Sequence, residues 1–456
     1  MENNSLAKVV ALAKRRGFIY PGSEIYGGVA NTYDYGPVGA ELLRNVRNLW
    51  WDNFVHRRRD IVGLDASLIS HQEVWKSSGH TAGFADALID CKNCKLRMRA
   101  DHLIEDSMDK QVEGLSTEDL DKIVSENKIA CPNCGKSDWT KVRKFNLLFP
   151  VNLGIVEGDQ GLAYLRGETA QGMFINFKNV LESNRVKLPF GIAQLGKSFR
   201  NEITPGNSVF RTLEFEQGEI EYFFDPKESD WEELFEGWKK SMWDFLTKRV
   251  GIKEENLRWR EHSDKERSFY SKRTEDLEYK FSFGFKELWG LAYRTDYDLS
   301  QHEKGSGKDL KVVDSQTGNK VLPHVIEPAV GINRIFLMIL SDAYVEEENR
   351  TVLKINPRLA PFKAAVFPLL ANKPELIAKA DEIYNDLSQS FYINYDARGN
   401  IGKRYLAQDE IGTPYCITVD FDTLKDDSVT IRDRDTMEQQ RVKVAELRNF
   451  LAQKLI

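Results

Sequence analysis

Apolar residues at Leu6, Val9, Val10 and Ala13 fall at helical spacing and predict a helix that runs from Leu6 to Arg16 and stops at Gly17. A turn-rich stretch follows, with Gly22, Gly27, Gly28 and Gly36. Pro37 then opens a strong helix, because its fixed φ suits a first turn where no N–H is needed. The stripe of that helix is Leu42, Leu43, Val46, Trp50 and Phe54, and so much apolar and aromatic surface must be covered by a core or by a second subunit. Residues 61–70 read as a strand. Strand-like runs at 145–149, 190–194 and 214–224, broken by one helix near 169–182, give α+β patterning with antiparallel pairing expected. Residues 225–280 are rich in Trp, Glu and Lys and read as a helical insertion, with strands resuming at 279–285 and 289–297. Pro357 and Pro361 mark a boundary. Beyond it, runs at 363–370, 392–396, 414–420 and 428–432 with helices at 374–390 and at the end read as a separate α/β domain.

A chain of 456 residues predicts two or three domains, each with enough sequence for its own core. With 64 basic and 70 acidic residues the net charge is -6, which excludes a protein that coats nucleic acid over its whole surface and leaves room only for a local basic face. The longest apolar run, 335–340, falls far short of the roughly 20 residues a membrane span needs, so no membrane role is expected. The first residues lack the ordering of a signal peptide, and a cytoplasmic location is expected.

Four of the five cysteines form two pairs, Cys91/Cys94 and Cys131/Cys134. In a reducing compartment two C-x-x-C pairs favour a metal over disulfides. The tight turn Cys131-Pro-Asn-Cys-Gly135 suits thiolates, and four sulfurs leave no open position, so a structural Zn²⁺ is the preferred reading over free thiols. The module that holds them spans 88–145, with a charged, helical middle at 101–128. Cys416, in an apolar strand, reads as inert core, and the histidines show no metal spacing.

The sharpest polar constellation is Lys197-Ser-Phe-Arg200-Asn-Glu202, a loop with Pro205 and Gly206, and then Phe210-Arg211-Thr-Leu-Glu214-Phe215-Glu216-Gln-Gly-Glu219. Strand, polar loop and strand predict a hairpin from which Arg200 and Glu202 project the same way. An arginine fork beside a carboxylate suits a phosphate together with an amine-bearing ring; a solvated cross-strand ion pair is the bland alternative. Two further patches are Phe285-Lys-Glu287-Leu-Trp-Gly290 and Val325-Ile-Glu327-Pro-Ala-Val-Gly331-Ile-Asn-Arg334. In the second, glycine permits close approach of a ligand and Arg334 can lay its planar cation on a ring. Glu287 and Glu327 are expected to hold Mg²⁺ against phosphates.

The Phe-Arg-x-Glu hairpin and the strand and helix closing with G-x-x-R resemble motifs 2 and 3 of class II aminoacyl-tRNA synthetases, and the Pro37 helix resembles motif 1. The strings Leu165-Arg-Gly-Glu-Thr-Ala-Gln-Gly172, Arg99-Ala-Asp-His102, Lys286-Glu-Leu-Trp-Gly290, the run from Gly402 to Pro414 and Ile431-Arg-Asp-Arg-Asp-Thr-Met-Glu438 together resemble the homodimeric type of glycyl-tRNA synthetases over nearly the whole chain. The resemblance implies a catalytic domain at 1–87 and 146–358, an antiparallel catalytic sheet, the zinc insertion at 88–145, the helical insertion at 225–280 and an anticodon-binding domain at 359–456. It implies a homodimer that joins glycine to its tRNA in two steps, through an adenylate made from ATP with release of pyrophosphate.

By the same resemblance Arg200 grips the α-phosphate, Glu202 the adenine amino group and Arg211 the outer phosphates, while Phe215 and Arg334 sandwich the adenine. Asn201, Phe210, Glu287, Leu288 and Gly331 complete the ATP site. Arg99, Glu168, Glu216, Gln217, Glu219 and Glu327 join Phe215 and Gly331 around glycine, whose small cationic head needs carboxylates and whose lack of a side chain permits selection by exclusion. Gly167, Gly218 and Ala329 depart from the family pattern of proline, a larger apolar residue and serine; the two glycines are expected to loosen the local backbone, and Ala329 removes a substrate hydrogen bond. Between Pro361 and Ile456 there are 13 basic and 15 acidic residues, so bulk charge does not announce RNA binding. The local signal is the loop with Arg398, Lys403, Arg404 and Tyr405, which suits unstacked anticodon bases, with a solvated loop as the alternative. A non-catalytic relative would be free to lose Arg200, Glu202, Glu287 or Arg334, and all are present.

Overall fold

The computed structural model describes residues 3–108, 112, 115–154, 161–202, 206–264, 267, 270–313 and 318–455. Its centre is a seven-stranded sheet built from β1 (Ile61–Gly63), β2 (Phe190–Phe199), β3 (Glu214–Phe224), β4 (Leu257–Glu261), β5 (Arg273–Phe281), β6 (Gly284–Thr295) and β7 (His324–Gly331). The strand order is β4-β5-β6-β7-β3-β2-β1. All neighbours are antiparallel except β1 and β2, which run parallel.

Strand β3 shows why the sheet has two unlike faces. Side chains alternate along a strand, so the sequence Glu214-Phe-Glu-Gln-Gly-Glu-Ile-Glu-Tyr-Phe-Phe224 sends Phe215, Gln217, Glu219 and Glu221 one way and Gly218, Ile220 and Tyr222 the other. The second set packs in one core with Trp289, Leu291 and Tyr293 of β6 and Ile326 and Val330 of β7. Two helices cover it, α1 (Pro37–Trp51) and α2 (Ile332–Ala343), the latter opening as β7 ends at Gly331.

Pro37 occupies the first turn of α1, as its chemistry predicts, and after Trp51 the chain continues through a wider helical turn to His56. The apolar stripe is consumed inside the chain: Leu42, Leu43, Val46, Trp50 and Phe54 are all buried in this core. It therefore does not by itself demand a second subunit. Trp50 lies against Gly218, where an added Cβ would come within 2.9 Å of the indole. Gly218 is thus a seat for Trp50, and not a loosened backbone.

Residues 225–280 differ from the helical expectation in their second half. Helix α3 (Trp231–Asp244) is present, but β4 and β5 are outer strands of the central sheet. Apolar residues at every second position, Leu257 and Trp259 in β4 and Leu277, Tyr279 and Phe281 in β5, face the core cluster, while the alternating charged residues gave the segment its polar composition. Residues 61–70 form two short strands separated by a loop. The helix expected near 169–182 is two, Ala170–Ile175 and Phe177–Asn184.

The cysteine module is a three-stranded sheet, Ala85–Asp90, Arg97–Arg99 and Arg143–Asn146, with helices Ala100–Met108 and Thr117–Glu126 around Ile89, Leu103 and Leu120. The C-terminal unit holds β8 (Ala364–Pro368), β9 (Ile393–Tyr395), β10 (Tyr415–Val419), β11 (Ser428–Asp433) and β12 (Gln439–Lys443) in the order β9-β8-β10-β11-β12, the first three parallel. Helices α5 (Pro374–Leu387), α6 (Ile401–Ile411) and α7 (Leu447–Lys454) complete it, α4 being Tyr297–Ser306 in the body that holds the seven-stranded sheet. The boundary segment is pinned on both sides: Asn45 Nδ2 of α1 donates to the carbonyls of Leu359 and Ala360, and Lys363 Nζ to those of Pro357, Arg358 and Ala360. Among the described residues no helix is long and apolar enough to cross a membrane.

Candidate active site

The polar face of the sheet floors a cavity of about 240 Å³ whose lining includes Arg200, Glu202, Arg211, Glu219, Glu327 and Arg334. The β2–β3 hairpin supplies its mouth; Pro205 of the connecting loop lies outside the described residues. Arg200 donates from Nε to the Gly167 carbonyl at 2.9 Å, and its guanidinium is held between the rings of Phe84 and Phe215 at 5.0 and 5.2 Å. Gly167 is therefore a close-packed position, where a Cβ would meet Leu148 at 2.9 Å, and not a loosened one. Arg334 lies over Phe210 at 4.5 Å and pairs with the half-exposed Glu287 at 2.9 Å. The expected flanking of a ring by Phe215 and Arg334 is thus not preformed: each faces another partner, although both line the cavity.

Behind the mouth stands a wall of buried carboxylates. Glu219 accepts from the Thr169 N–H at 2.9 Å and from Gln217 Nε2 at 2.8 Å; burial, reinforced by the nearby charge of Glu168, raises its carboxyl. Glu168 behaves oppositely. Burial alone would raise it, but His80 at 3.2 Å and Arg294 hold its carboxyl well below the usual range. Glu327, at the register position beside Ala292 of β6, bonds Arg294. Its carboxyl is pushed up to about 8, chiefly by burial and, against the opposing charge of Arg294, by Glu219, Glu168 and Asp298.

Arg294, which the sequence reading missed, holds this wall from behind through Asp298 and Glu327. It is 1% exposed, makes a bidentate pair with Asp298 of α4 at 2.7 and 2.8 Å, and stacks on Tyr270 at 3.9 Å. A lone arginine after Leu291-Ala-Tyr, in a strand otherwise apolar, was the available signal, since a fully buried charge implies buried partners.

Several expectations change once strand parity and side-chain pairing are seen. Glu216 borders the cavity, but by strand parity it turns from Glu219 and its carboxylate is taken by Arg47 of α1, whose Nε donates at 2.6 Å. Leu288 is fully buried in the apolar core, so its side chain is no part of the cavity surface. Arg99 is tied to Asp101 and Asp86, both at 3.0 Å, and among the described residues neither it nor Asn201 lines the cavity. Glu327 is drawn into the wall by Arg294, while Glu287 stands at the mouth beside Arg334, so the two carboxylates expected to share Mg²⁺ each have an arginine partner. Ala329 does line the cavity, with a methyl where a hydroxyl would donate, and Gly331 closes β7 beside it.

The four cysteine sulfurs of the insertion lie within 4.8 Å of one another, with Cys91–Cys134 at 3.7 Å and Cys94–Cys131 at 3.6 Å. Sulfurs about 2.3 Å from one tetrahedral ion are separated by roughly 3.8 Å, so the quartet fits zinc. Cys416 is buried, and burial pushes its thiol up, in keeping with inert core. In the C-terminal unit the basic loop divides. Arg404 is 2% exposed and its guanidinium donates to the carbonyls of Pro368, Ala397, Arg398 and Gly399, so it builds the loop and presents nothing to RNA. Tyr405 is likewise occupied, bonded to Thr418 at 2.6 Å under Arg432. Arg398 and Lys403 remain at the surface.

A two-faced antiparallel sheet with an arginine-lined mouth and a strand that closes in G-x-x-R defines a class II tRNA synthetase. Residues 156–343 match the tRNA synthetase class II core domain (G, H, P, S and T), residues 107–147 match glycyl-tRNA synthetase insertion domain 1, and residues 363–454 match an anticodon binding domain. The glycine--tRNA ligases of Clostridium perfringens and Clostridium tetani are each 52% identical to the chain, and that of Caldanaerobacter subterraneus subsp. tengcongensis is 50% identical. Each comparison covers 99% of this chain and 98% of the relative. The chain belongs to the glycine--tRNA ligase family.

Proposed function

We propose that this chain joins glycine to its tRNA, with both reactants of the first step held in the cavity on the polar face of the sheet. The supporting observation is the division of that cavity: guanidinium groups at the mouth, Arg200, Arg211 and Arg334, and carboxyl oxygens at the wall, Glu168, Glu219 and Glu327, with Glu168 held ionised. A polyphosphate is drawn to the first and an ammonium to the second. A ligand that carries a carboxylate next to its ammonium then presents that carboxylate toward the phosphates. Its oxygen attacks the α-phosphorus, the bond to the bridging oxygen breaks, and pyrophosphate leaves with that electron pair. Arg200 sits where the developing charge on the α-phosphate needs a donor, and preorganised donors of this kind contribute most of such a rate enhancement. The terminal ribose hydroxyl of the tRNA then displaces AMP from the adenylate.

Glu202 meets the adenine edge, and Phe215 and Arg334 flank the ring once they leave Arg200 and Phe210. Gln217 and Ala329 line the amino-acid end. Mg²⁺ would be held by Glu287 with the phosphates and supplies charge neutralisation there. Zinc, held by Cys91, Cys94, Cys131 and Cys134, serves the fold of the insertion, at a distance from the chemistry. Arg398 and Lys403 are the tRNA contacts of the basic loop. The active form is a homodimer in the cytoplasm; the exposed apolar tip of Ile25 and Tyr26, 87% and 88% exposed, is a surface suited to a second copy.

Glycine-dependent ATP–pyrophosphate exchange tests this reading. Arg200→Ala should lower exchange by about 10²- to 10³-fold, the cost of one lost charge-stabilising donor, with the fold intact by circular dichroism. Normal exchange by that variant overturns the site assignment.

A further inference from the structure

Of the buried polar groups behind the cavity, one has a geometry that its burial alone does not explain. His80 opens the short helix His80–Gly83 and is 3% exposed. The rings of Trp75 and Phe84 pack at 5.2 Å on the imidazole. Its two nitrogens are spent in opposite directions. Nδ1 meets the Ser78 hydroxyl at 2.8 Å, and Ser78 is itself 1% exposed. Nε2 meets Glu168 Oε2 at 3.2 Å, while the other oxygen of that carboxylate accepts from Gln171 Nε2 at 3.0 Å. Gln171 in turn contacts Asp298 and His302, which joins the arrangement to the Arg294 pair.

We propose that His80 is a positioning residue of the amino-acid pocket: its Nε2–H aims the Glu168 carboxylate into the cavity, and Ser78 fixes the imidazole that does so. A glutamate on the loop before a helix has three torsions, and the two donors, one on each oxygen, remove that freedom before substrate arrives. With Nδ1 facing a hydroxyl that can donate or accept, Nε2 can carry a proton in either charge state of the ring, so the aim does not depend on imidazole charge. The hydrogen bond from His80, together with the charge of Arg294, also accounts for a Glu168 carboxyl held low although burial opposes it. The motif Ser78-Gly-His80 lies before the cysteine module and outside the hairpin that carries the phosphate-binding arginines, so the inference adds a third segment to the pocket.

This inference rests on the reading of Glu168 as a substrate-facing group, and the test separates the two. In the full-length enzyme, glycine and ATP KM values are measured by pyrophosphate exchange for His80→Phe, His80→Gln, Ser78→Ala and Glu168→Gln, with the thermal midpoint of each. Losing a hydrogen bond to a charged group costs enough to raise the glycine KM of His80→Phe about tenfold or more. ATP KM should stay within about twofold, and His80→Gln, which retains a side-chain N–H donor near the Nε2 position, should recover most of the loss. On a Glu168→Gln background, His80→Phe should add little. A parallel rise of both KM values, no rescue by glutamine, or an unchanged glycine KM overturns the inference. If His80→Phe fails to fold, Ser78→Ala carries the test, with a smaller but still glycine-selective rise expected and an unselective or absent rise overturning it. An unchanged glycine KM in Glu168→Gln overturns the pocket reading itself and this inference with it; a raised one with His80→Phe normal overturns this inference alone.

Discussion

The cavity on the polar face of the sheet and the basic loop of the C-terminal unit both look, along the chain, like clusters of charge, yet the fold uses them in opposite ways. In the cavity, strand parity decides: Glu219 and Glu327 stand on the polar face, while Glu216, three residues from Glu219, turns to Arg47 of α1. In the loop no such alternation exists, and helical geometry carries Arg404 inward to four carbonyls while its neighbour Lys403 stays in solvent. Charges of the first kind are buried, paired and preset, so losing one leaves its partner stranded in low dielectric. Charges of the second kind are screened and contribute through long-range attraction to phosphate.

The largest expected break of this comparison is at Arg294. Replacing it by methionine keeps much of its volume but leaves Asp298 and Glu327 without their shared cation. Breaking a buried ion pair in this way costs about 3–5 kcal/mol, to be read from urea unfolding, and exchange activity should fall with it. Stability within about 1 kcal/mol of the parent would mean that the carboxylates take up protons and need no cation.

A smaller effect concerns pH. Glu327 has its carboxyl raised from 4.5 to about 8 in the folded chain. The folded state therefore binds a proton that the unfolded state has released, and stability from this group is present below pH 4.5 and is lost as pH rises to about 8, by at most about 1.4 kcal/mol per pH unit. Urea midpoints of the parent should fall more steeply between pH 5.5 and 8 than those of Glu327→Gln, and the two should run parallel above 8.5. Parallel curves throughout would show that Arg294 keeps Glu327 ionised.

Much of the cavity was legible from the chain because its signals were local. The strand at 214–224 and the Pro37 helix start are both properties of short windows, and both hold in the structure. What escaped depended on contacts between distant segments. Gly218 was read as loosening because Trp50, 168 residues earlier, fills the space above it. Arg294 and His80 went unread because a buried charge or imidazole acquires meaning only from partners brought by other elements. Strands β4 and β5 were hidden by composition: their outward residues are charged, and the apolar alternation beneath was read as part of a charged helix.

The smallest effect sharpens the comparison from the side of the loop. Arg398 and Lys403 are exposed, Arg398 with a side chain 93% accessible beside Asp396, so their loss leaves no buried charge stranded. The double variant Arg398→Ala, Lys403→Ala should keep the parent's thermal midpoint and its glycine-dependent exchange. Its affinity for glycine tRNA should fall by about tenfold at low salt, and the slope of log affinity against log salt should become shallower by about 1 to 2, because each phosphate contact removed releases fewer counterions. Arg404→Met is the internal control: its guanidinium is consumed by backbone carbonyls, so it should lower the midpoint without changing the salt slope. The outcomes are separable because one readout follows burial and the other follows phosphate charge. If the double variant binds tRNA with the parent's slope, the loop is a solvated surface and the anticodon is met elsewhere on the C-terminal unit; if Arg404→Met changes the slope, its guanidinium leaves those carbonyls when RNA arrives.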